Sequence, residues 1–196
     1  MTIFAPADYI NQDQMKRILF IIASLRKASF NRQVSEFVKD YIGDRAAVSE
    51  PDLSDVPFVN QDAEYPVLPA VDRLRQVVAQ ADAVWIFSPE YNFSYPGYLK
   101  NMLDWLSRTS NPKDPQSTTA IAGKKVTVTG IGGKFATKGM IDKLTDLLTF
   151  IKADLAGVPP VGLSVNAEAW ATNKVTLSEV QKEKLQAQAN AFLKVI

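Results

Sequence analysis

The sequence predicts an α/β fold, a three-layer, doubly wound sheet of five parallel strands in a single domain. Three observations predict it. Short apolar runs alternate with amphipathic segments of helical period along the chain, and such alternation closes into a parallel sheet covered on both faces. The runs RILFIIA and AVWIF are apolar at nearly every position rather than at every second one, as strands buried on two faces are. The length, 196 residues with 46% hydrophobic content, suits one domain with a sizeable core.

Each element has its own signal. Residues 1–14 show no clear period and are expected to be an N-terminal extension, with the domain spanning 15–196. Lys16 to Ala23 reads as the first strand. Asn31 to Ile42 has helical spacing through Val34, Phe37, Val38 and Tyr41, with Gly43 as its stop. A weak strand, Ala46 to Ser49, leads into PDLSDVPFVNQDAEYPVLP, whose prolines and acidic residues predict a long surface loop. Val71, Leu74, Val77 and Val78 give the second helix, and Ala83 to Phe87 the third strand. Pro96 suits a first helical turn, followed by Leu99, Met102, Leu103 and Leu106 on one face. Lys125 to Thr129 is the fourth strand, and Met140, Ile141, Leu144, Leu147, Leu148 and Ile151 mark the next helix. Val158 to Val165 gives a fifth strand whose two prolines predict a late start. The closing helix is expected to open on a Thr176/Glu179 capping box and to run through Leu185, Ala189, Phe192 and Ile196.

Composition removes whole classes of chemistry. Without histidine or cysteine the chain cannot build a Ser-His-Asp triad, a thiolate nucleophile or the usual zinc site. Enzymatic chemistry must then rest on carboxylates, lysine, tyrosine, a hard metal or a cofactor. Asp52 and Asp55 lack a third carboxylate for a magnesium site, and no metal ligand is assigned. A formal charge of +1 draws the chain to neither nucleic acid nor an anionic membrane. No apolar stretch approaches a bilayer span and the N-terminus lacks a signal pattern, so the expected place is the cytoplasm.

In an open parallel sheet, ligands bind at the carboxyl ends of strands near the switch in strand order, where three polar loops would gather. Ser24, Arg26, Ser29 and Asn31 lie between the first strand and its helix. Hydroxyls, an amide, a guanidinium and helix-terminal N–H groups suit a phosphate. Alternatively, Ser29 or Asn31 caps the helix while Arg26 and Lys27 are solvated. The second loop, SPEYNFSYPG, puts Tyr91, Phe93 and Tyr95 where a flat heterocycle could stack; alternatively these rings are core lids or subunit contacts. The third, GIGGKFATKG, has Gly130, Gly132 and Gly133, which permit close backbone approach to a ligand or simply make the strand-to-helix turn. Neither G-x-x-x-x-G-K-[ST] nor G-x-G-x-x-G is present. What remains is a monophosphate held by hydroxyls and backbone, as the flavodoxin-like order treats FMN.

With these motifs the chain resembles the NADPH-dependent FMN reductase family, which includes bacterial quinone, chromate and azo-dye reductases. ASLRKASFNR is similar to the family's phosphate loop and SPEYNFSYPGYLKNMLDWLSR to its flavin-ring loop and following helix. The resemblance implies a flavodoxin-like fold that binds FMN, with Ser24, Arg26, Ser29 and Asn31 on the phosphate and Phe30 beside them. It places Pro89, Glu90, Tyr91, Asn92 and Phe93 along the flavin ring, and the segment of Gly130, Gly132 and Gly133 at its pyrimidine side. It further implies a homodimer or homotetramer with the flavin close to a subunit interface. The activity implied is hydride transfer from NADPH or NADH through FMN to a quinone or similar small-molecule acceptor such as FMN, an azo dye or chromate, with no side chain named as catalytic acid or base. The alternative is a flavodoxin-like electron carrier that binds FMN without using NAD(P)H. One departure is Ala23, where the family usually has glycine and where a methyl is expected to crowd the phosphate loop.

Overall fold

The computed structural model describes residues 15–109, 111, 113, 114 and 116–196; the expected extension, residues 1–14, lies outside them. Its elements in chain order are β1 (Arg17–Ile22), α1 (Phe30–Ile42), β2 (Ala47–Ser49), α2 (Pro69–Gln80), β3 (Ala83–Phe87), α3 (Gly97–Leu106), β4 (Lys125–Gly132), α4 (Lys138–Phe150), β5 (Val161–Ser164), α5 (Ala167–Thr172) and α6 (Glu179–Val195). The five strands pair in the order β2-β1-β3-β4-β5, all parallel. Strand order therefore reverses between β1 and β3, and their carboxyl ends diverge into connections on opposite faces. That crevice is where a doubly wound sheet holds ligands.

Alternating strand residues feed two cores. Leu19, Ile21, Val84, Ile86, Val126 and Val128 point to the side covered by α2, α3 and α4. Ile18, Phe20, Ile22, Trp85, Phe87 and Leu163 meet α1 and α6 on the other. Burial on both faces removes the polar alternation of a half-exposed strand, which is why β1 and β3 read as continuous apolar runs.

A polar chain threads the second core. Trp85 Nε1 donates to Thr129 Oγ1 (2.9 Å), which donates to Gln188 Oε1 (2.7 Å), and Gln188 Nε2 donates to Thr127 Oγ1 (3.0 Å) and Val128 O (2.9 Å). One amide from α6 thus satisfies two threonines buried in the middle of the sheet.

Several boundaries differ from expectation for local reasons. β4 continues through Gly132 because Gly130 and Gly132 pair with Gly162 and Ser164 of β5. β5 shows the late start that its two prolines predict, opening at Val161, since Pro159 and Pro160 offer no N–H to the ladder. The capping box that opens α6 is Ser178 with Gln181, not Thr176 with Glu179: Ser178 Oγ accepts from Gln181 N and Gln181 Oε1 accepts from Ser178 N. The same spacing occurs at both pairs, and Val175 and Leu177, just ahead of the later one, pack against the second core. The proline-rich segment is less a free surface loop than expected. Leu53 and Val56 are buried, Asn101 of α3 bonds Val59 N and Pro57 O, and Glu64 takes a bidentate pair from Arg108 (2.9 and 2.8 Å).

Candidate active site

The first loop leaves β1 as an extension of the sheet, since Ala23 N donates to Phe87 O (2.8 Å). The Ala23 methyl packs into the α2–α4 core and lines neither of the two cavities that these loops border. Ser29 is the N-cap of α1, its Oγ accepting from Arg32 N (3.4 Å), which leaves its O–H free to donate. Asn31 clasps the end of β4: Oδ1 accepts from Ile131 N (3.1 Å) and Nδ2 donates to Ile131 O (3.2 Å). Arg26 donates through Nη1 to Asn173 Oδ1 (2.9 Å) and through Nη2 to Ala28 O, with its guanidinium 4.5 Å from the centre of the Phe30 ring.

The second loop is a tight hairpin. Tyr91 and Ser94 exchange N–H···O bonds of 2.8 and 3.0 Å around Asn92 and Phe93, both left-handed at φ 51° and 56°. Two successive positive φ values define the type I′ turn, and an aromatic residue tolerates that region poorly. Tyr91 and Phe93 are more than half exposed. Glu90 turns the other way: its Oε2 accepts from Met140 N (2.8 Å) at the start of α4. Thr137, the N-cap there, is left-handed and makes no side-chain cap bond, so the carboxylate from the neighbouring loop satisfies an orphan N–H and meets the positive end of the helix.

The third loop folds α4 back onto β4. A Cβ at Gly130 would overlap Thr137 Oγ1, so this glycine permits an internal contact. Gly132 and Gly133 both line the crevice; a Cβ at Gly132 would also press on Thr137 Cγ2, while one at Gly133 would meet open space. Phe135 is exposed, and its ring lies 5.6 Å from that of Phe93, with Lys134 Nζ above it at 5.0 Å.

These loops enclose a cavity of about 150 Å³. Ser24, Arg26, Ser29, Phe30 and Asn31 line it from the first loop, Pro89, Glu90 and Tyr91 from the second, Ile131, Gly132 and Gly133 from the third. Asn92, Phe93 and Gly130 do not line it: the first two form the turn outside and the third lies within the sheet. A wider cleft of about 450 Å³ opens on the β2 side, sharing Ser24 and Arg26 and adding Lys27, Arg32, Glu50 and Tyr98. Burial, with Asp52 and Asp55 nearby, pushes the Tyr98 phenol up to about 12, so it stays a neutral donor.

Residues 16–168 match the model of the NADPH-dependent FMN reductases. The chain belongs to that family. It is 31% identical over 180 residues to an NAD(P)H-dependent FMN reductase of Pseudomonas aeruginosa, covering 90% of this chain and 92% of that one. It is 28% identical over 181 residues to a quinone reductase of Pseudomonas putida, covering 91% and 94% of the two chains. Among solved structures, the flavoenzyme NAD(P)H:(acceptor) oxidoreductase FerB of Paracoccus denitrificans superposes with a TM-score of 0.80 at 27% identity, covering 92% of this chain and 97% of that one. As a member of the FMN reductase family the chain is an oxidoreductase whose cofactor is FMN and whose co-substrate is NAD(P)H.

The cavity fits the phosphate end of that cofactor by its donors. The N–H groups of Phe30 and Asn31, at the first turn of α1, have no partner among the described residues, and both residues line the cavity beside two hydroxyls and a guanidinium. Unpaired helix-terminal N–H groups with added hydroxyls make an anion site. One lining residue was not found from the sequence. Trp170 stands on α5, a helix of 6 residues that is too short to show a period. Its one signal is a lone large aromatic in the polar stretch NAEAWATN.

Proposed function

We propose that this FMN reductase passes electrons from NADPH or NADH to quinones or similar small acceptors, and that the cavity at the ends of β1, β3 and β4 is its flavin site. The observation that carries the reading is the convergence there of the unpaired N–H groups of Phe30 and Asn31 with Ser24, Ser29 and Arg26. These groups take the phosphate. Glycines 132 and 133, Pro89, Glu90 and Tyr91 border the remainder of the cofactor, with Asn92 and Phe93 shaping the turn that presents Tyr91, and Gly130 letting α4 close behind it.

FMN, when bound, supplies a two-electron relay between nicotinamide and acceptor, so that a quinone leaves as its hydroquinone after taking two electrons and two protons. The chain's own residues bind and orient. Arg26, braced by Asn173, is preorganised rather than drawn from solvent. Glu90 fixes the aromatic loop to α4 and so sets the width of the crevice. No side chain is assigned a proton transfer.

We further propose that two or more copies associate through the exposed rings of Tyr91, Phe93 and Phe135, since exposed aromatics grouped at a loop tip suit an interface. We place the chain in the cytoplasm on its composition; among the described residues no helix is long and apolar enough to cross a membrane.

The purified protein is expected to be yellow, to release FMN on denaturation, and to oxidise NADPH or NADH faster when a quinone is added. A colourless protein that cannot be reconstituted with FMN would overturn the site assignment. Oxidation that no quinone accelerates would overturn the acceptor.

A further inference from the structure

The family match stops at residue 168, just short of Trp170, and the segment beyond it is tied to the phosphate loop. Asn166 caps α5 by accepting from Ala169 N (2.9 Å), and Asn173 ends it in the left-handed conformation at φ 59°. Gln33 of α1 donates to Asn173 O (3.0 Å) and accepts from Val175 N (2.8 Å), while Asn173 Oδ1 accepts from Arg26. The short helix is thereby braced against the start of α1, where Trp170 meets Phe30 edge to face with ring centres 4.9 Å apart.

Braced as it is, Trp170 remains 56% exposed. The other two tryptophans are fully buried, and each indole N–H has an acceptor, Thr129 Oγ1 for Trp85 and Pro57 O for Trp105. The Trp170 N–H has none among the described residues, and its indole borders the same cavity as Ser24 and Glu90. A large, rigid aromatic surface with a free donor, held in place by hydrogen bonds that do not bury it, is a platform for a ligand.

We propose that Trp170 is a binding residue of the flavin site, closing its α1 side and covering its own exposed face on the bound FMN. The inference rests on the flavin reading of the cavity. It makes the site four-walled, with the β5–α6 connection as the wall outside the family match.

The test is the indole N–H region of the NMR spectrum of the ¹⁵N-labelled full-length protein, recorded with FMN bound and after its removal. The signal absent from Trp170→Phe identifies Trp170. It is expected to exchange rapidly with solvent in the FMN-free protein, and to shift and exchange more slowly once FMN is bound. Trp170→Ala is expected to weaken FMN binding by about tenfold, while Trp170→Phe keeps most of the affinity. Unchanged Trp85 and Trp105 signals show that the alanine variant is folded. A Trp170 signal indifferent to bound FMN, or a folded Trp170→Ala protein with wild-type FMN affinity, overturns this inference alone. Failure of the wild-type protein to take up any FMN overturns the flavin reading and this inference with it.

Discussion

Glu90 sits between Pro89 and Tyr91 in the aromatic loop, yet its Oε2 accepts a 2.8 Å bond from Met140 N. Glu90→Ala removes the carboxylate from the end of α4 and is expected to lower stability by about 1 kcal/mol, with Glu90→Gln losing less; urea midpoints check it. Arg26 serves both the cavity and Asn173. Arg26→Ala should lower FMN affinity by roughly 1.5 to 3 kcal/mol, the range for a hydrogen bond to a charged group, measured by titrating FMN into the FMN-free protein. Wild-type affinity would make Arg26 a brace for α5 only. The residue types that line the candidate site were legible in the sequence because hydroxyls, guanidinium and glycine cluster at strand ends. Their internal partners were not, since Asn31 finds Ile131 at a separation of 100 residues and Glu90 finds Met140 at 50. No local pattern encodes such a pairing.

At the scale of elements, β1, β3 and most of β4 could be read from the sequence because full burial leaves no alternation to misjudge. The start of α6 could not, because two capping pairs with the same spacing compete there. The proline-rich segment shows the same limit: its composition reads as solvent-exposed, while Asn101 and Trp105 on α3 and Arg108 just after it hold it down. The bidentate hydrogen bonds from Arg108, opposed by burial, hold the Glu64 carboxyl below its ordinary range. A lowered folded value means that the pair contributes stability above the unfolded carboxylate pKa and loses it as pH falls through the lowered value. Acid titration of stability should therefore be steeper for the wild-type protein than for Glu64→Gln. Gln188→Ala, which strips α6 of its bonds to Thr127 and Thr129, should cost about 1 to 3 kcal/mol, since buried hydroxyls lose their partner; thermal unfolding measures it.

At the scale of the whole molecule, the order β2-β1-β3-β4-β5 brings loops from residues 24 to 133 to one crevice, with the exposed rings of Tyr91, Phe93 and Phe135 beside it. Sedimentation is expected to show a dimer or tetramer, and Phe93→Glu to shift it toward monomer by placing a charge in the contact. Gln188 has a different kind of consequence. During synthesis Thr127 and Thr129 emerge well before α6, so their hydroxyls lack the Gln188 amide until that helix leaves the ribosome. A nascent chain halted before residue 188 holds every loop of the proposed flavin site yet lacks the amide that bonds Thr127 and Thr129. Such a chain is expected to bind chaperones before it binds FMN.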